Sequence, residues 1–208
     1  MEIYNDGTLY NNNSITGTGT YNQDSGQTFN NGSLSQASIL ISGGSLIGTG
    51  TINGNVTIGS LASVMLFILG NPPGTMTING NFTSGGTLVF EIAGLGTGLY
   101  DVLDINGNAT FTGGNIQFDF IYGFHASAGE YWDFLSANTL TGWDTLCFTF
   151  NGLDNGLGWN FTQLATGGER LWITNTVAAV PEPETWAMLL AGLGLLGFTA
   201  RRRKNLAA

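Results

Sequence analysis

A six-residue motif that recurs at a nearly constant spacing is the feature that most constrains the fold. The motif Ile-Asn-Gly-Asn-x-Thr begins at Ile52, Ile78 and Ile105, so its copies lie 26 and 27 residues apart. A fixed period of about 20–50 residues is typical of stacked architectures, in which each unit buries its apolar face only against its neighbours. We therefore predict that the three copies occupy equivalent positions on successive stacked units. A shorter element, Gly followed by Ser or Thr and then Leu or Met, begins at Gly7, Gly32, Gly44, Gly59, Gly74 and Gly86.

Within these units, apolar residues alternate with polar ones, as in Thr87-Leu88-Val89-Phe90-Glu91-Ile92. An alternation with a period of two predicts half-buried β-strands. The Asn-Gly pairs suit tight corners but also suit hairpins, so the local pattern alone leaves an antiparallel meander open. The long period favours a parallel β-solenoid (β-helix), which we predict for residues 1–113. Because Asn5-Asp6-Gly7-Thr8-Leu9 already matches the repeat, we expect the repeats to begin upstream of Met1.

Residues 114–177 carry longer and more aromatic strand patterns, such as 116–122 and 170–174. An open solenoid needs a cap that protects its last edge. The sequence predicts an aromatic-rich β cap for this region, with a small packed sheet as the alternative.

Charge excludes several function classes. The basic residues are Arg170 and the run 201–204, so residues 1–200 combine one basic with fourteen acidic side chains, a formal −13. Nucleic-acid binding needs clustered Lys and Arg, so we predict no nucleic-acid partner. The sequence contains one cysteine, Cys147, which excludes an intramolecular disulfide. It contains one histidine, His125, and a single Cys and a single His disfavour a catalytic dyad.

We predict no cofactor, no metal and no enzymatic activity. Asp101, Asp104 and Asp119 are the nearest candidates for a paired-carboxylate hydrolase, but Asp101 and Asp104 have the wrong parity to share one strand face. The alternatives are a polysaccharide-binding or polysaccharide-cleaving β-helix and an ice-binding protein. The ice-binding alternative rests on the short Thr-Gly runs 16–20 and 48–51.

The last thirty residues have a different organisation. Pro181 and Pro183 flank Glu182 and give a stiff, extended stretch, and residues 186–200 follow without a charge. As a helix this apolar run is about 22 Å long, and flanking residues help it to cross a hydrocarbon core of roughly 30 Å. We predict one transmembrane helix over residues 186–200, within a helix that extends from about Glu184 to Arg203. The basic cluster that follows places residues 1–185 outside the cytoplasm.

This order of Pro-Glu-Pro, short apolar helix and basic cluster resembles the PEP-CTERM sorting domain of Gram-negative bacteria, over about residues 180–205. The resemblance implies a partner, the membrane enzyme exosortase, and a precursor that is tethered to the inner membrane before it reaches the cell surface or the extracellular matrix. It also implies three roles for residues of this chain. The recognition residues would be Pro181, Glu182 and Pro183; the membrane anchor Trp186, Leu189, Leu190, Leu193, Leu195, Leu196 and Phe198; and the stop-transfer signal Arg201, Arg202, Arg203 and Lys204.

A second resemblance covers roughly residues 44–176. Segments 70–80 and 100–107 are similar to the distal passenger repeats of autotransporter adhesins, which are right-handed parallel β-helices. This similarity implies surface display, with adhesion or contact with extracellular polysaccharide as one use of the β region.

Overall fold

The computed structural model describes residues 2–67 and 72–176, and the prediction that this part of the chain is all-β is confirmed. A 3-10 turn, Trp143–Thr145, is its one helical element. Met1–Asn175 form one compact unit.

The strands up to the end of the repeats are β1 (Ile3–Tyr4), β2 (Thr8–Asn11), β3 (Ser14–Thr16), β4 (Thr20–Gln23), β5 (Gln27–Asn30), β6 (Ser33–Ile47), β7 (Thr51–Met65), β8 (Thr75–Asn79), β9 (Phe82–Ser84), β10 (Thr87–Ile92), β11 (Val102–Ile105) and β12 (Asn108–Phe111). The remaining strands are β13 (Asn115–Phe120), β14 (Tyr131–Ser136), β15 (Thr139–Thr141), β16 (Cys147–Asn151), β17 (Leu157–Gln163) and β18 (Glu169–Asn175).

Parallel pairing sorts strands β1 to β16 into three columns. The first column runs through β3, the starts of β6 and β7, and then β8, β11 and β14. The second runs through β1, β4, the middle of β6 and β7, and then β9, β12 and β15. The third runs through β2, β5, the ends of β6 and β7, and then β10, β13 and β16.

The number of residues between paired positions grows along the chain. Ile3 pairs with Tyr21, an offset of 18, whereas Ile52 pairs with Ile78, an offset of 26, and Leu103 pairs with Leu135, an offset of 32. The extra residues enter at one recurrent place, where the third column returns to the first. Loops 93–101 and 121–130 both lie at this return, so they come from successive passes of the chain.

The Ile-Asn-Gly-Asn-x-Thr copies are direct neighbours in the parallel ladder, as their spacing predicts: Ile52 pairs with Ile78 and Ile78 with Ile105. The first Asn of each copy forms a ladder of side-chain amides. Asn79 Nδ2 donates to Asn53 Oδ1 over 2.7 Å, and Asn106 Nδ2 donates to Asn79 Oδ1 over 2.8 Å. Each such bond contributes about 1 kcal/mol net.

The second Asn and the Gly of each copy stabilise the same corner in other ways. Asn55 Oδ1 accepts the backbone N–H of Asn81 over 2.9 Å, and Asn81 Oδ1 accepts that of Asn108 over 3.0 Å. A Cβ at Gly80 would lie well inside 3.0 Å of the Gly54 carbonyl, so the backbones of successive passes approach too closely for any other residue.

The core changes in character along the chain. Up to β7 it is mainly aliphatic, with residues such as Leu34, Ile39 and Val56 fully buried. From β10 onward buried Phe and Trp side chains become frequent, and Phe118 contacts the rings of Phe90, Phe134, Phe150 and Phe161. Larger rings therefore fill part of the interior of these later passes.

Parallel pairing extends through β16; among the described strands, antiparallel pairing appears only at the end of the chain, and an isolated antiparallel bridge joins Ile92 and Tyr100. β17 and β18 form an antiparallel pair, and β18 also pairs antiparallel with β14. The predicted strands at 116–122 and 170–174 correspond to β13 and β18. Residues 177–208 lie outside the described residues, and so does the transmembrane helix predicted for them.

Candidate functional site

None of the sorting residues predicted from the sequence belongs to the described part of the chain. Pro181, Glu182 and Pro183, the anchor residues from Trp186 to Phe198, and the stop-transfer residues from Arg201 to Lys204 all follow Thr176. The described residues contain no helix with the length and apolar character that a bilayer crossing requires.

A cleft lies at the return between the third and first columns and is here called the corner cleft. Loop 93–101 contributes Leu95 and Tyr100, and the end of loop 121–130 contributes Gly129 and Glu130. Tyr131 and Asp133 from β14 complete the lining of a volume of about 490 Å³. A second, shallower cleft of about 650 Å³ shares Gly129 and is lined on its other side by the outer face of β17 and β18.

An ion pair and two aromatic rings connect the two clefts. Arg170 on β18 donates from Nε and from a terminal nitrogen to the two carboxylate oxygens of Asp133, over 2.5 and 2.8 Å. Its guanidinium lies 4.0 Å from the centre of the Tyr131 ring and 5.5 Å from that of Trp172. The two rings are themselves 4.7 Å apart. Bidentate pairing with a carboxylate and stacking on aromatic faces are the contacts that favour Arg over Lys.

The Asp133 hydrogen bond and charge raise the pKa of the Arg170 guanidinium above its usual value, although partial desolvation opposes this effect. Burial raises the pKa of the Tyr100 hydroxyl, as do Asp133 and Tyr131, while Arg170 lowers it. Tyr100 is therefore electrostatically coupled to the same group of side chains.

The structure separates the three predicted carboxylates. Asp101 is only 1% exposed, and its two oxygens accept the backbone N–H groups of Gly74 and Glu91 over 2.8 and 2.7 Å. Asp104 lies in the first column beside Thr77 and Ser136, whereas Asp119 lies in the third column beside Glu91. The sequence analysis did not single out Glu91; the shared alternation of β10 and β13 is the signal that would have placed it beside Asp119.

Burial raises the pKa of Asp101 to about 6, and the two backbone hydrogen bonds oppose the rise. Burial, together with the charges of Asp101 and Asp119, raises the pKa of Glu91 to about 7. Asp119 is held by side-chain amides of Gln117 and Asn151, at 3.0 and 2.6 Å. Neither Glu91 nor Asp119 is among the lining residues of the corner cleft or the shallower cleft.

The remaining polar candidates are dispersed. His125 pairs with Asp154 over 2.9 Å on the surface, and Cys147 is exposed at the start of β16. In the described ranges, no three His, Cys, Asp or Glu side chains group in a way that would hold a metal ion. Of the Thr-Gly run 16–20, Thr16 belongs to the first column and Thr20 to the second. The Thr residues of the three motif copies, Thr57, Thr83 and Thr110, lie in register as their spacing predicts, and Thr141, which no motif copy contains, continues this ladder.

Comparison with known proteins settles the nature of the tail. A family model described as the PEP-CTERM protein-sorting motif matches residues 179–204. The chain carries a PEP-CTERM sorting motif. This motif indicates an exported protein that passes through a membrane-associated precursor and is processed by an exosortase. No curated protein and no solved structure matches the chain, and the resemblance of residues 44–176 to autotransporter passengers stays a prediction.

Proposed function

We propose that this protein is a non-enzymatic surface or extracellular-matrix component, whose β region is a solenoid presented outside the cell through the PEP-CTERM tail. The single observation that carries the proposal is the sorting motif at residues 179–204. It joins Pro181-Glu182-Pro183, an uncharged run and four cations within 26 residues.

The tail acts in three steps in this proposal. The apolar run 186–200 enters the inner membrane as a helix, and the cations 201–204 remain on the cytoplasmic side. Pro181, Glu182 and Pro183 then lie next to the outer membrane surface, where exosortase recognises them. Processing frees the β region from its anchor and delivers it to the cell surface or the extracellular matrix.

The β region suits a passive role as a rigid spacer or display element. In-register parallel ladders, side-chain amide ladders and close glycine contacts support a solenoid with little internal freedom. The engagement of both Asp101 oxygens by backbone N–H groups also favours a structural role for that carboxylate over a catalytic one.

The test replaces Pro181-Glu182-Pro183 by three alanines in a host with a functional exosortase. Immunoblots of membrane and extracellular fractions then compare the variant with the wild type. We expect the full-length, membrane-bound precursor to accumulate, because the apolar run and the cations that insert it are unchanged. The matched control replaces the neighbouring residues Glu184 and Thr185 by alanine and should be released like the wild type. Equal release of the triple variant would show that Pro-Glu-Pro is only a linker, and the proposal would fail.

A further inference from the structure

We propose that the corner cleft and the adjoining shallower cleft together bind a neutral polysaccharide, with Tyr131 in the first and Trp172 in the second as stacking surfaces and the neighbouring Asp133–Arg170 pair as hydrogen-bonding groups. This inference concerns the folded β region alone and does not depend on how the tail is processed. Four properties of the site carry it: hydrogen-bonded walls, an accessible aromatic surface, an excess of negative charge, and a lining that continues through Gly129 from one cleft to the other.

The walls of the cleft are fixed by buried or backbone hydrogen bonds. Trp132 Nε1 donates to the Gly94 carbonyl over 2.8 Å, and the Ala93 N–H donates to the Leu99 carbonyl over 2.7 Å, so loop 93–101 is held at both ends. On the other side, Gly129 donates to the Ile173 carbonyl and Ile173 donates to the Glu130 carbonyl. A preformed site loses little conformational entropy when a ligand binds.

The aromatic surface matches the two-sided chemistry of a pyranose ring. Tyr131 is 47% exposed although it contacts both Trp172 and Arg170. A sugar ring presents C–H groups on its faces and hydroxyls around its edge. An exposed aromatic side chain packs against the C–H groups of such a ring. A carboxylate and a guanidinium beside that side chain form hydrogen bonds with the sugar hydroxyls.

Charge decides which polysaccharide fits. Glu130 and Asp133 line the cleft, and Arg170, the one basic residue among the first 200, is already paired with Asp133. The Glu130 carboxylate also accepts the Ser127 N–H over 2.8 Å and stays in place. An anionic polymer would meet uncompensated like charge here, whereas an uncharged polymer pays no such cost.

The shape favours a polymer over a single sugar. The corner cleft and the shallower cleft meet at Gly129, and the Tyr131 and Trp172 rings lie at their junction, one lining each cleft. Asn160 and Thr162 extend the polar lining along β17. A chain of several residues can therefore continue from one cleft into the other across the aromatic pair.

Affinity electrophoresis of the purified full-length chain tests the proposal. The protein is kept in a zwitterionic detergent without a sugar headgroup, and the gels contain dextran, a soluble β-glucan, a mannan or, as the anionic polymer, alginate. We expect at least one neutral polymer to retard the wild type and alginate not to. Tyr131→Leu and Trp172→Ala should each weaken this retardation at least about tenfold, which corresponds to about 1.4 kcal/mol, whereas Tyr131→Phe should retain it.

Tyr10→Ala is the matched control, because Tyr10 is 66% exposed and stacks on Phe29 at 4.8 Å but lies in the first pass of the chain. It should bind like the wild type, and circular dichroism melting of every variant separates lost binding from lost folding. Failure of all neutral polymers to bind, stronger binding of alginate, or equal weakening by Tyr10→Ala would each overturn the proposal. So would unchanged binding in folded Tyr131→Leu and Trp172→Ala.

Discussion

Two regions of the β domain achieve the same parallel pairing by different means. In the repeat region, β1 to β12, successive passes are aligned by short side chains and by glycines, with Asn-to-Asn bonds at the corners. In the closing region, β13 to β18, aromatic rings contact one another in a cluster centred on Phe118, and an antiparallel hairpin follows. The comparison teaches that the stability of the repeat region depends on how closely the backbones of successive passes approach each other. The stability of the closing region depends on the volume of its buried aromatic side chains.

The largest expected effect tests the dependence on aromatic volume. Phe118 and Phe82 are both fully buried, but Phe118 contacts four rings, whereas Phe82 contacts the Phe111 ring at 6.3 Å. Removing a buried Phe costs about 3–5 kcal/mol, and each aromatic pair adds about 0.5–1.5 kcal/mol. We therefore expect Phe118→Ala to reduce the free energy of unfolding by about 5 kcal/mol and Phe82→Ala by about 3 kcal/mol, as measured by urea denaturation. Equal losses of unfolding free energy in Phe118→Ala and Phe82→Ala would contradict this distinction between the two regions.

A smaller effect tests the dependence on backbone approach. In Gly80→Ala the new Cβ would collide with the Gly54 carbonyl, a backbone atom that cannot move without shifting a whole pass. Overpacking of this kind typically costs about 1–3 kcal/mol, and we expect about 2–3 kcal/mol here. Gly7→Ala is the control, because a Cβ at Gly7 meets nothing within 4 Å, so its cost should be close to zero. If Gly80→Ala unfolds at the same urea concentration as the wild type, close approach does not limit the repeat region.

A third effect is a pH dependence to which Glu169 of the closing region contributes. Glu169 is 4% exposed, its Oε2 has no hydrogen-bond partner among the described residues, and burial raises its pKa from 4.5 to about 7. Between these two values the folded protein keeps a proton on Glu169 that the unfolded chain has released, so the contribution of Glu169 to stability falls as the pH rises from about 4.5 to about 7 and then levels off. Glu169→Gln should raise the melting temperature at pH 8 and flatten this slope.

Asp144→Asn provides the matched control for that experiment, since Asp144 is an exposed carboxylate in the 3-10 turn. It should leave the slope of melting temperature against pH unchanged. A Glu169→Gln variant with the wild-type slope would show that Glu169 is ionised in the folded protein at neutral pH.

The sequence predicted the parts of this fold that depend on local periodicity. Strand alternation and the spacing of the Ile-Asn-Gly-Asn copies were sufficient to predict β structure and to place Ile52, Ile78 and Ile105 on neighbouring strands. The offset of 18 in the first passes was not predicted, although Gly26 to Gly44 and Gly32 to Gly50 both show it, because the Ile-Asn-Gly-Asn copies recur only at 26 and 27.

The corner cleft could not be predicted in the same way. Tyr131 and Trp172 are 41 positions apart and meet only because β18 pairs antiparallel with β14, and no repeat encodes that pairing. Glu91 and Asp119 become neighbours through an offset of 28, for which the shared alternation of β10 and β13 is the one local signal described above. The corner cleft forms where loops of different length meet in the folded chain. Its geometry depends on tertiary packing, which local sequence patterns do not indicate.

Mass spectrometry of the intact protein released from an exosortase-containing host tests the central claim most directly. Our account predicts that the released chain retains the β domain through Asn175 and lacks the apolar run 186–200 together with the cations 201–204. A host without exosortase should yield only membrane-bound chains with the full tail. Recovery of released protein that still ends in Arg201-Arg202-Arg203-Lys204 and the residues after it would contradict the account.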